Sequence, residues 1–107
     1  MKLTLPHQTT QAAAIKKIDD HLNYLLRQRF PGVNIIDPEK NWDENIMRFS
    51  FTVEKLIFSL DFEGNAIVTD QEAILESELP NIVTNFVSEE TIKNVIRKKF
   101  NELFNIK

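Results

Sequence analysis

Few side chains in this sequence are of a type that does chemistry, and those few are scattered. Metal binding needs several imidazole, thiolate or carboxylate ligands at close spacing. The chain has two histidines, His7 and His21, and no cysteine. Fourteen positions of helix-forming sequence span about 20 Å at 1.5 Å per residue, too far for the two rings to share an ion. Each is expected to be a surface or half-buried histidine, and no metal or other cofactor is expected. Carboxylates are more numerous. Asp61 and Glu63 share a parity, as do Glu76 and Glu78, and Asp70 and Glu72 lie between. An acid–base pair needs one member taken out of water. Nothing in the pattern buries these, so they read as a solvated acidic face. Ser50, Ser59, Ser77 and Ser88 have no histidine near them in sequence, and there is no glycine-rich phosphate loop or Gly-x-Ser-x-Gly elbow. No catalytic residue is assigned, and the expectation is a protein that is not an enzyme.

Two other groups suggest binding instead of catalysis. Arg97-Lys98-Lys99 is a short basic run, but Glu102 follows it and sixteen acids oppose it along the chain. With a net charge of −3 the chain lacks the basic footprint that phosphate backbones require, so no nucleic-acid partner is expected. Ile46 and Ile57 fall on the polar side of alternating segments, and Trp42 flanks them. Exposed together, they would form an apolar patch of the kind that marks a partner surface. Tucked under a sheet edge, Trp42 would be ordinary core.

The elements that must position these residues are legible from periodicity. Met47, Phe49, Phe51 and Val53 alternate with Arg48, Ser50 and Thr52, and Leu56, Phe58, Leu60 and Phe62 repeat the pattern. A period of two predicts half-buried strands, with one apolar face in need of cover. Leu3 and Leu5 predict a short edge strand ended by Pro6. Thr9 or Thr10 caps a helix whose stripe is Ile15, Ile18, Leu22, Leu25 and Leu26. Arg27 and Arg29 suit its last turn, and Phe30-Pro31-Gly32 stops it. Val33 to Asp37 reads as a strand, Asp37 to Asn41 as a turn, and Asp43 to Asn45 as a second turn. Val53 to Leu56 reads as a tight connection and Gly64-Asn65 as a two-residue hairpin loop. Residues 66–79 complete the meander, although parity does not settle the register of Ile67 and Val68. An apolar connection, Asn81 to Val87, leads to Ser88. That serine caps a final helix with Ile92, Val95, Ile96, Phe100, Leu103 and Phe104 on its stripe.

The fold class expected is α+β, in the order β-α-β-β-β-β-α. An antiparallel sheet carries both helices on one face, and its other face is polar and open. The 107 residues form one domain, 1–107. Hydrophobic content of 42% and charged content of 27% are those of a globular chain. No apolar run reaches the roughly 18 residues of a membrane span, and none near the N-terminus has signal-peptide form. The expectation is a cytoplasmic protein without a transmembrane segment.

Several of these features together resemble the polyhydroxyalkanoic acid system family of small bacterial proteins. They are His7, Ala14-Ile15-Lys16 with Ile18 and Leu22, and Trp42 followed by Asn45 and Phe49-Ser50-Phe51. Gly64-Asn65-Ala66-Ile67-Val68 with Asp70, and Leu79-Pro80 before an amphipathic helix, complete the set. The resemblance spans nearly the whole chain, with the stretch Glu54 to Glu63 longer than in the family pattern. It implies an association with polyhydroxyalkanoate synthesis or storage granules and carries over no catalytic residue. The function expected is therefore a non-catalytic accessory or interaction protein, whose partners are other proteins or a granule surface. The alternative is a small-molecule protein, binding or transforming an acyl-type ligand in a pocket lined by Phe49, Phe51, Phe58, Phe62, Phe100 and Phe104. Self-association through an uncovered sheet edge is a further expectation.

Overall fold

The computed structural model describes residues 1–28 and 31–106, so the expected roles of Arg29 and Phe30 at the first helix end lie outside the described residues. The elements run β1 (Lys2–Pro6), α1 (Gln11–Arg27), β2 (Asn34–Asp43), β3 (Ile46–Lys55), β4 (Phe58–Val68), β5 (Glu72–Glu78), α2 (Asn81–Phe86) and α3 (Glu89–Leu103). The strands make one antiparallel sheet in the order β1-β5-β4-β3-β2. This is the α+β architecture the alternation predicts, with the short α2 added in the connection expected to be irregular. Because β1 and β2 lie at opposite edges, α1 has to cross the sheet to join them.

Both long helices are set by their caps. Thr10 accepts from the backbone N–H of Ala13 at 3.2 Å, and Ser88 accepts from that of Thr91 at 3.1 Å. Each satisfies one of the amide donors that a helix start leaves without a partner. Their apolar stripes meet one face of the sheet. Leu3 and Leu5 of β1, Val68 of β4 and Ala73 of β5 form the core with Ala14 of α1 and Phe100 of α3, and Ile15, Ile18, Trp42, Leu75, Ile96 and Phe104 pack around them. Cross-strand pairs Leu3–Leu75, Leu5–Ala73, Val68–Ala73 and Met47–Ala66 place these side chains on the same side. The centre of the core is thus the β1-β5-β4 end of the sheet. The β3–β4 phenylalanines are not central: Phe49, Phe51 and Phe62 stack along the sheet, with centroids 6.4 and 5.2 Å apart, and remain half-buried.

Three local expectations are corrected. The first concerns Asp37 to Asn41, which is strand and not turn. β2 runs through Pro38 with a bulge between Ile36 and Glu39, and Asp37 takes φ 49° there. Proline is tolerated because β2 is an edge strand and the bulge already interrupts its ladder. The second concerns Gly64-Asn65, which does not turn the chain. β4 continues through both, opposite Phe49 and Arg48 of β3 and Ser77 and Glu76 of β5. Glycine is required for close approach: a Cβ at position 64 would lie 2.7 Å from Phe49 Cζ and 2.5 Å from the Glu76 carbonyl oxygen. The third concerns the hairpin turn, which is Leu56-Ile57, since Lys55 pairs with Phe58.

One polar cluster pins α1 to the sheet. Lys40 of β2 reaches Asp19 and Asn23 of α1, and Trp42 Nε1 donates to Asp19 Oδ1 at 2.8 Å. The lysine first, and the tryptophan N–H second, hold the Asp19 carboxyl below its usual range. A carboxylate depressed in the folded state stabilises it above the unfolded pKa, and that contribution is lost as pH falls through the folded value. Asp19→Asn is therefore expected to lose about 1–2 kcal/mol at pH 7. Its deficit against the parent should shrink below about pH 4, as read from urea unfolding at several pH values. A deficit that grows on acidification would contradict the assignment.

Candidate functional site

The turn of the β3–β4 hairpin is the most exposed apolar feature among the described residues. Leu56 is 90% and Ile57 93% exposed, and Phe58 beside them is 54% exposed. Strands of ten and eleven residues carry this turn. At about 3.4 Å per residue they account for most of the molecule's 42 Å long axis. The tip is carried by a ladder paired up to Lys55 and Phe58 and lies apart from the cluster that builds the core. Its chemistry runs against its position. Leu56 has φ 57°, a left-handed conformation that costs an L-residue roughly 1–2 kcal/mol and for which Gly, Asn or Asp is the usual choice. Neither turn geometry nor hydration favours Leu-Ile here.

Trp42, Ile46 and Ile57 do not share a surface. Trp42 pairs with buried Met47 on the helix-covered face, packs against the core and bonds to Asp19. Ile46 points to the opposite face, in register with Ile67 and, through it, Ile74, a short apolar row that leaves it half-buried. Ile57 is at the tip, about 30 Å along the strand from Ile46 at the strand rise. Of the three, only Ile57 belongs to the exposed feature. The sequence reads Leu56 both on the apolar parity of a strand and as the last residue of a connection from Val53. The turn lies later, at Leu56-Ile57, because Val53, Glu54 and Lys55 stay paired in the ladder.

The helix-free face carries two shallow troughs of about 800 and 590 Å³. Glu39, Ser50, Glu63 and Glu78 line both and form one row across four strands. Arg48 lies in the next row, with Asn65, Glu76 and Lys2. Of the carboxylates expected on a solvated acidic face, Asp61, Glu63, Asp70 and Glu78 are exposed, whereas Glu72 and Glu76 are half-buried. Phe49 also lines the larger trough and Phe51 and Phe62 the smaller, so the half-buried phenylalanine stack reaches the walls of both, and both are open to solvent. Among the described residues no group of three or more histidines, cysteines or carboxylates is placed to hold a metal.

The two histidines have separate structural surroundings. His7, expected at the surface or half-buried, is instead buried, 1% exposed, directly after β1. Its Nδ1 accepts from the Thr9 N–H at 3.1 Å and its Nε2 lies 2.8 Å from the Thr69 carbonyl oxygen. A carbonyl only accepts, so the ring proton is on Nε2. His21 is half-buried on α1 and stacks on Tyr24 at 6.4 Å. Arg97, Lys98 and Lys99 are exposed on α3, where Arg97 donates to Asn94 and Lys99 lies 3.7 Å from Glu102. No helix among the described residues is long and apolar enough to cross a membrane.

Compared with known proteins, the chain matches no family model, no curated protein and no solved structure.

Proposed function

We propose that this protein is a non-catalytic interaction module that docks through the tip of its β3–β4 hairpin. The observation that carries the reading is the near-complete exposure of Leu56 and Ile57 at the end of a paired ladder. Burying either side chain against a partner is worth about 1.5–3 kcal/mol, whereas holding both in water gives the free protein nothing. The sheet edges are poorer docking surfaces. β2 is broken by the bulge next to Pro38 and β1 ends in Pro6, devices that discourage strand addition. The resemblance to the polyhydroxyalkanoic acid system family names the partner to try first: a polyester storage granule or the proteins on it.

The test is co-sedimentation with isolated polyhydroxyalkanoate granules, comparing the parent with the double variant Leu56→Ser, Ile57→Ser. Both positions are exposed, so stability should stay within about 0.5 kcal/mol. Binding should fall by at least about 100-fold, the lower end of what losing two buried aliphatic side chains implies. Equal binding by both proteins would sink the reading. Trp42→Ala is the wrong probe, because Trp42 supports the fold through Asp19 and the core.

A further inference from the structure

We infer that the hairpin tip enters a phospholipid surface as a shallow apolar wedge. The inference rests on the docking role proposed above for the same residues and names the chemistry of what they meet. A protein partner is the weaker fit. Stable protein–protein contacts bury roughly 1,200 Å² or more in total, with anchors seated in pockets inside a polar rim. Here the two turn side chains, Leu56 and Ile57, are almost fully exposed, and Phe58, the first residue of β4, is about half exposed beside them. A convex tip of that size provides too little area for such a contact. It does match what an apolar phase accepts without shape complementarity. The flanking residue Lys55 is exposed, and a lysine stem can lie along the apolar boundary with its ammonium among head groups.

Charge distinguishes this mode from adsorption to anionic lipid. The chain carries −3 overall, and its basic run, Arg97-Lys98-Lys99, is on α3 and not on the hairpin. Attraction to negative head groups therefore contributes little, and binding should be insensitive to salt. Three apolar side chains place the affinity near that of a single acyl anchor, on the order of 10⁴ M⁻¹, reversible and dependent on the amount of lipid.

The chain has no cysteine, so one introduced thiol can be labelled uniquely. Ile57→Cys and, as control, the exposed α3 position Glu90→Cys are each labelled with the polarity-sensitive dye NBD and titrated with phosphatidylcholine vesicles. The expected result is a blue shift and intensity rise at position 57 alone, unchanged between low and high salt. Unlabelled Leu56→Ser, Ile57→Ser protein should co-sediment with the vesicles at least tenfold less than the parent. If the label at 57 does not respond while granule binding still needs Leu56 and Ile57, the lipid inference falls and the interaction module stands. Binding seen only with anionic vesicles and abolished by salt also overturns it. So does a concentration-dependent dimer that the double variant abolishes, since the tip would then meet a second copy. If neither granules nor vesicles depend on the tip, both readings fall.

Discussion

Phe100→Ala is expected to lower the unfolding free energy by about 3–5 kcal/mol, the range for removing a buried phenylalanine from a core. Among the described residues, Phe100, 9% exposed, is the phenylalanine that belongs to the buried core cluster. It joins α3 to the cluster formed by Leu3, Leu5, Ala14, Val68 and Ala73, with the Phe104 ring 4.6 Å away. Truncating it leaves a cavity where α3, β1 and β5 converge, and the helix cannot close it without losing its own register on the sheet. Domains of this size have about 5–15 kcal/mol in all, so the variant should approach the unfolding limit. Phe58→Ala is the matched control. Its ring is mostly exposed at the hairpin tip, and the loss should be under about 1 kcal/mol. Urea denaturation of the two variants separates a core centred on α3 from one centred on the hairpin phenylalanines. A larger loss at 58 than at 100 would overturn the packing described above.

His7→Ala should lose about 2–4 kcal/mol, the second large effect, and His21→Ala less than about 0.5. His7 joins three segments. Its ring accepts from Thr9 just before α1, donates to Thr69 in the β4–β5 turn, and lies 6.1 Å from the Phe104 ring at the end of α3. Removing it takes out a buried side chain and leaves the Thr69 carbonyl without this donor. His7→Phe separates the two contributions, because it restores ring packing but cannot donate. It should remain destabilised by about 1–3 kcal/mol, the penalty for an unsatisfied buried acceptor. A His7→Phe protein as stable as the parent would show that the ring acts only as filler.

Much of the architecture was legible because it rests on periodicity and on caps. The 3.6-residue stripes of α1 and α3 and the serine and threonine before them are local signals that tertiary contacts leave intact. The alternation from Met47 to Val53, and again in Leu60 and Phe62, gave the correct face. The failures share one cause. Gly64 and Pro38 are residues that usually mark turns, yet here each answers to a neighbour: Gly64 to the Phe49 ring that crosses it, Pro38 to the free edge of β2. The actual turn, Leu56-Ile57, has the composition of a strand. That mismatch also hid the candidate site. Ile57 stood out as apolar on a polar parity, but parity cannot separate the outer face of a strand from the tip of a hairpin. Grouping Ile57 with Trp42 and Ile46 followed from nearness in a pattern that the sheet then separated.

Amide hydrogen exchange of the parent protein, free and bound to granules, tests the docking surface most directly. Exchange should slow at residues 54–59 on binding and stay unchanged along β2 and across Glu63 and Glu78 on the open face. Slowing along an edge strand or over the acidic rows, with the Leu56-Ile57 amides unaffected, would contradict docking through the tip.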